Sequence, residues 1–142
     1  HTKNGIEKLS LTNLQRQLLY TVVVLTCVKV VLQLITVVPY FALLTTKYLD
    51  FTIGYLHLTF LGVISFGLFF FMDYFGLVRV SKSSCALYMV GFLLTEVLIF
   101  FKGFSAWLQW NVFTGYALAL VLCSLFIFLG LMVMVFHNRT KP

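Results

Sequence analysis

Charge is what this 142-residue sequence most lacks: 10% of its residues are Asp, Glu, Lys or Arg, against about 25% in an ordinary soluble domain. A chain this short has too little interior to hide an apolar content of 61% from water. A soluble globular enzyme and a disordered tail are both excluded. Cysteine is scarce and odd in number: of the three, Cys27 and Cys123 lie inside apolar runs and Cys85 near the edge of one. No CxxC or Cys/His ligand spacing occurs, so neither a disulfide scaffold nor a zinc site is indicated. The apolar runs also lack period-two alternation, which excludes a transmembrane barrel. The chain starts at His1 and shows no recognisable signal peptide, so we expect a processed or truncated chain, or one piece of a longer polypeptide.

What is present is hydrophobic length. The mean hydropathy is +1.03, and four runs, at about 18–44, 51–72, 86–104 and 112–136, are each long enough to cross a bilayer as a helix. The expected fold is all-α, an integral membrane four-helix bundle. Ten Lys and Arg against four Asp and Glu leave a net charge of +6. These cations are dispersed among the runs rather than gathered on one face, so they are read as topology signals and no nucleic-acid partner is expected. Lys3, Lys8, Arg16, Arg79, Lys82, Arg139 and Lys141 fall on one side, Lys47 and Lys102 on the other. That asymmetry predicts both termini in the cytoplasm (N-in/C-in), of a bacterial inner membrane. Tyr48, Trp107 and Trp110 would anchor the outer boundary, Tyr20 and Tyr74 the inner.

Residues 1–17 form a cytoplasmic N-terminal segment and 137–142 a cytoplasmic tail. In the former, Ile6, Leu9, Leu11 and Leu14 alternate with polar residues. The segment reads as an amphipathic helix on the membrane surface or as a plain extension of the first span, with Ser10 or Thr12 as its cap. Asn138-Arg139-Thr140 matches a glycosylation sequon only formally, since the cytoplasmic side gives it no use.

Inside hydrocarbon an ionisable group is by default a site hypothesis. Three lie deep in the runs: Lys29, His57 and Glu96. Thr26, Lys29, Gln33 and Thr36 share one helix face, which must meet protein or a wet cavity. It would either glue helices together or line a pathway. Lys29 and Glu96 sit at matching depth, about 15 Å into their spans, so a salt bridge between them is the first expectation. A protonated Glu96 relaying protons is the other. On a helix Gly54, His57, Leu61 and Ser65 line one face with Gly62 at its margin. Such a groove admits another helix or a flat cofactor, so His57 is either a haem ligand or a hydrogen-bonded histidine. A second axial ligand is missing, because His1 and His137 lie outside the spans or at their end.

The runs Leu32-Gln-Leu-Ile-Thr-Val-Val-Pro39, Ile53-Gly-Tyr-Leu-His-Leu-Thr-Phe-Leu-Gly-Val-Ile-Ser65 and Gly91-Phe-Leu-Leu-Thr-Glu-Val-Leu-Ile-Phe100 resemble the C-terminal part of larger Bacteroidetes membrane proteins. Those proteins have roughly a dozen helices and no assigned activity. They are distantly similar to the catalytic subunit of the haem-copper oxidase superfamily. The resemblance implies that the second span matches the helix carrying a His-x-His pair of haem ligands. Here that pair is Tyr55 and His57: His57 would keep the low-spin haem position, while Tyr55 replaces the other ligand and removes the oxygen chemistry. The copper-ligand helices would lie upstream.

Three functions follow. The first is an integral membrane subunit or domain packing within a larger assembly, with other membrane-protein chains or a second copy as partner and no catalysis of its own. The second is a haem-binding electron-transfer element centred on His57. The third is a small proton or solute transporter using Lys29, Gln33 and Glu96. The absence of an inverted repeat, with Pro39 the one helix breaker, ranks the transporter last.

Overall fold

A computed structural model describes residues 11–139, and every described element is helical. The first ten residues, with most of the proposed amphipathic segment, Lys3 and Lys8, lie outside the described range, as do Thr140 and Lys141. Helix α1 spans Asn13–Ile35. Thr12 is its cap: the Gln15 amide donates to Thr12 Oγ1 at 3.3 Å, and the Thr12 amide donates to Gln15 Oε1 at 3.1 Å. This reciprocal box satisfies two of the donors that a helix start leaves orphaned.

The first apolar run does not form one span over 18–44. Helix α1 stops at Ile35, and a separate helix α2 occupies Pro39–Lys47. Pro39 is the reason. It has no amide proton to continue α1, its fixed φ suits a first helical turn, and it drives Val38 to extended geometry (φ −73°, ψ 122°). Tyr48, also extended, then joins α2 to α3, Leu49–His57.

Helix α3 continues through a π-helical stretch, Leu58–Ile64, into α4, Ser65–Tyr74, so that Leu49–Tyr74 is one continuous span. The wider winding has identifiable partners. Ser65 Oγ donates to the Phe60 carbonyl at 2.9 Å, and Tyr88 Oη donates to the Leu61 carbonyl at 3.0 Å. These hydroxyls satisfy carbonyls where the α-helical ladder is interrupted. Gly76, at φ +67°, closes the end of α4. Helix α5 covers Lys82–Trp107 with Ser81 as its cap, and α6 covers Tyr116–Arg139. The third predicted run lies within α5. The fourth begins later than expected, at Tyr116 instead of 112.

Among the described residues four helices are therefore long and apolar enough to cross a membrane: α1, the α3–π–α4 span, α5 and α6. They pack in chain order. Helix α1 lies against α4 and the π segment, α3 against α5, and α5 most extensively against α6. Helices α1 and α6 share no comparable contact, so they flank the arrangement instead of closing a ring. Burial follows from this: α5 is the most enclosed span, α1 the least.

The α5–α6 contact depends on two glycines. A Cβ on Gly91 would lie 2.7 Å from the Ile127 nitrogen, and one on Gly130 2.8 Å from the Tyr88 nitrogen. Small residues let the two backbones touch, the packing that substitutes for a hydrophobic drive inside lipid. The core is aromatic. Phe66 and Phe92 are fully buried, and Tyr88 meets Phe66 and Phe69 edge-on at 5.3 and 5.0 Å.

One end of the molecule gathers the start of α1, the α4–α5 loop and the end of α6. The Gln15 side-chain amide donates to Asp73 Oδ2 at 2.9 Å, while Asn138 accepts from the Arg79 amide at 2.8 Å and donates back to its carbonyl at 3.2 Å. Asn138 is thus committed to packing. Arg16, Arg79, Lys82 and Arg139 lie at this end. At the other end Lys102 donates to Asp50 at 2.9 Å.

Candidate functional site

His57 is the last residue of α3, immediately before the winding changes. Its Nδ1 lies 2.7 Å from Oε2 of Glu96 on α5. The two side chains are 19% and 12% exposed, which places a polar contact well inside an apolar bundle. Phe92, one turn before Glu96, stacks nearly parallel to the imidazole at 6.0 Å between centroids. The second carboxylate oxygen, Oε1, is buried with no hydrogen-bond partner.

The expected Lys29–Glu96 bridge is therefore replaced by His57–Glu96. Helical rise relates depth to residue number, but neighbours are set by packing: α5 meets α3, while α1 meets α4 and the π segment. Among the described residues the ion pairs are His57–Glu96 and Lys102–Asp50. Lys29 has weaker company. Its Nζ lies 3.5 Å from Oε1 of Gln33 on its own helix and 5.8 Å from the ring centroid of Tyr55.

The stripe on α1 is on one face as expected, yet it does not turn into the protein core. Thr26, Gln33 and Thr36 are exposed. Thr26 donates to its own helix at Val22, and Thr36 to Gln33. The upper part of the stripe, Gln33 and Thr36, borders a cavity of about 620 Å³ between α1, α2, α3 and α5, where Tyr55 and Thr52 also face it. In the sequence Tyr55 stands out only as the residue in place of a ligand of the His-x-His pair. Its place beside Lys29 depends on how α1 crosses α3, which no spacing reveals.

The glycine groove does not fit a haem. The Phe92 ring comes within 2.8 Å of where a Cβ on Gly62 would sit, and Phe100 within 3.1 Å of one on Gly54. The flat groups lying against these glycines are the chain's own phenyl rings. Among the described residues no group of three or more His, Cys, Asp or Glu side chains is arranged to hold a metal ion.

Chemically, the His57–Glu96 contact gives each of two polar side chains a hydrogen-bond partner on a facing helix, where the low-dielectric interior makes an unpaired polar group costly. Compared with known protein families, with curated proteins and with solved structures, the chain matches none.

Proposed function

We propose that the chain is an integral membrane subunit or domain that packs within a larger membrane assembly and has no catalytic activity of its own. One observation carries the reading: Lys29, in the apolar length of a flank helix, has a 3.5 Å contact to an amide oxygen and an aromatic face, but no counter-charge among the described residues. An ammonium held in hydrocarbon costs about 2.5–3.5 kcal/mol on insertion scales, and an acceptor from outside this chain would lower that cost. Gln33 beside it is exposed, with its side-chain nitrogen unspent. The natural neighbour is a transmembrane helix of another subunit, of a second copy, or of the same polypeptide, as the resemblance to larger Bacteroidetes proteins implies. The basic residues around the end that gathers Arg16, Arg79, Lys82 and Arg139 support placing that end in the cytoplasm of a bacterial inner membrane.

The test is photo-crosslinking from position 33 in native membranes, with and without Lys29→Leu. Adducts to protein that disappear in Lys29→Leu are expected. Adducts to lipid alone, from a chain that stays monomeric, overturn the reading.

A second reading, a small proton or solute transporter, is favoured by the unpartnered Glu96 Oε1. Proton flux in liposomes that Glu96→Gln abolishes would establish it. Flux equal to empty liposomes would remove it.

A further inference from the structure

At the basic end, a groove of about 650 Å³ separates α1 from α5. Its mouth is flanked by Arg16, in the first turn of α1, and Lys82, the first residue of α5. Most of the remaining lining is apolar: Leu14, Leu18 and Tyr20 on α1, with Gln17 and Thr21 beside them, and Cys85, Ala86 and Met89 on α5. Cys85, Ala86 and Met89 follow Lys82 by three, four and seven residues, one face of a helix, so the apolar wall descends about 10 Å beneath the ammonium. The two cations are exposed, and among the described residues neither side chain has a hydrogen-bond or ion-pair partner. The nearby acid, Asp73, is occupied otherwise: it accepts from the Gln15 side chain and from the Val80 amide at 3.0 Å.

We infer that this groove is a binding site for an anionic glycerophospholipid, with the phosphate between Arg16 and Lys82 and one acyl chain along the Leu18–Met89 wall. Two features select this occupant. The paired cations call for an anion at the depth where a headgroup lies. The apolar descent calls for a chain attached to it, which a free phosphate lacks. The inference rests on the membrane character of the chain and not on the Lys29 interface.

The experiment reconstitutes the full chain in zwitterionic nanodiscs doped with phosphatidylglycerol and counts lipids retained on the protein by native mass spectrometry. Arg16→Gln and Lys82→Gln are each expected to weaken retention about fivefold, and about twenty-fivefold together, from roughly 1 kcal/mol per cation. Arg139→Gln, at the same end but outside the groove, is the control and leaves retention unchanged. Ala86→Trp fills the groove with both charges kept and is expected to expel the lipid. Helix content by circular dichroism confirms that each variant is folded.

Equal retention of zwitterionic lipid overturns the inference, as does equal loss in Arg139→Gln. So does competition by soluble glycerol phosphate at the affinity of the intact lipid, since that would make the apolar wall irrelevant. Crosslinks from position 86 that reach protein instead of lipid in native membranes would assign the groove to a partner helix and likewise overturn it. A failure of the position 33 crosslinks leaves this result untouched, and the reverse also holds.

Discussion

Removing His57 alone should do more damage than removing His57 and Glu96 together. The contact is short, 2.7 Å, between side chains 19% and 12% exposed, and the carboxyl group's other oxygen already lacks a partner. His57→Leu would leave both oxygens of Glu96 buried without a donor. Breaking a buried ion pair from one side costs about 3–5 kcal/mol. A neutral interhelical hydrogen bond inside a membrane protein is worth less, about 0.6 kcal/mol on average and about 1.7 at most. These bracket the expected coupling energy between about 0.6 and about 5 kcal/mol. Its position within the bracket reports whether the pair is held as neutral partners or as ions.

The assay is a double-mutant cycle of His57→Leu and Glu96→Leu, read by reversible unfolding in mixed micelles with far-ultraviolet circular dichroism. The double variant, with leucine on both facing helices, is expected to recover most of the loss in either single one. A parallel cycle of Lys29→Leu with Glu96→Leu should be additive within about 0.5 kcal/mol, because the two share no partner. Coupling below that value for His57–Glu96, or above it for Lys29–Glu96, would refute the pairing argued from the geometry.

Two further perturbations test the packing and the end that holds Asp50 and Lys102. Leucine at Gly91 or Gly130 must clear backbone nitrogens 2.7 and 2.8 Å from its Cβ, which cannot yield as a side-chain tip can. Each should part α5 from α6 by about 1 Å and cost at least the roughly 1–3 kcal/mol of overpacking, read as lost energy transfer between labels on the two helices. Gly67→Ala, with nothing within 4 Å of its Cβ, should be neutral or gain up to about 1 kcal/mol; equal damage at all three sites would defeat the argument. Asp50→Asn removes the partner of Lys102, whose side chain is 44% exposed, so unfolding should shift by less than about 1 kcal/mol and still less in high salt. A larger, salt-insensitive loss would mean that the pair is shielded.

Much of the architecture was legible because the rules involved are local. Twenty apolar residues in a row have one stable form across a bilayer, so the four spans can be counted from composition. Thr12 with Gln15 three residues later is a helix start written in sequence. Pro39 also carried its message, the end of α1, although hydropathy alone ran the two segments together. The π segment was not legible. Its carbonyls are satisfied partly by Tyr88, a residue distant in sequence, and Ser65 reads as ordinary until the winding is known.

The sequence by itself determined that Lys29, His57 and Glu96 are ionisable groups in apolar helices, with Lys29 and Glu96 at comparable depth. Helical rise converts residue number into depth, so that much needs no fold. Only the tertiary structure decided that Glu96 faces His57 and that Lys29 is left with Gln33 and Tyr55. Which helix stands beside which is set by close approach at Gly91 and Gly130 and by phenyl rings against Gly54 and Gly62, and those contacts join residues far apart in the chain. The low charge of the sequence limits the number of polar contacts. The fold alone assigns their partners.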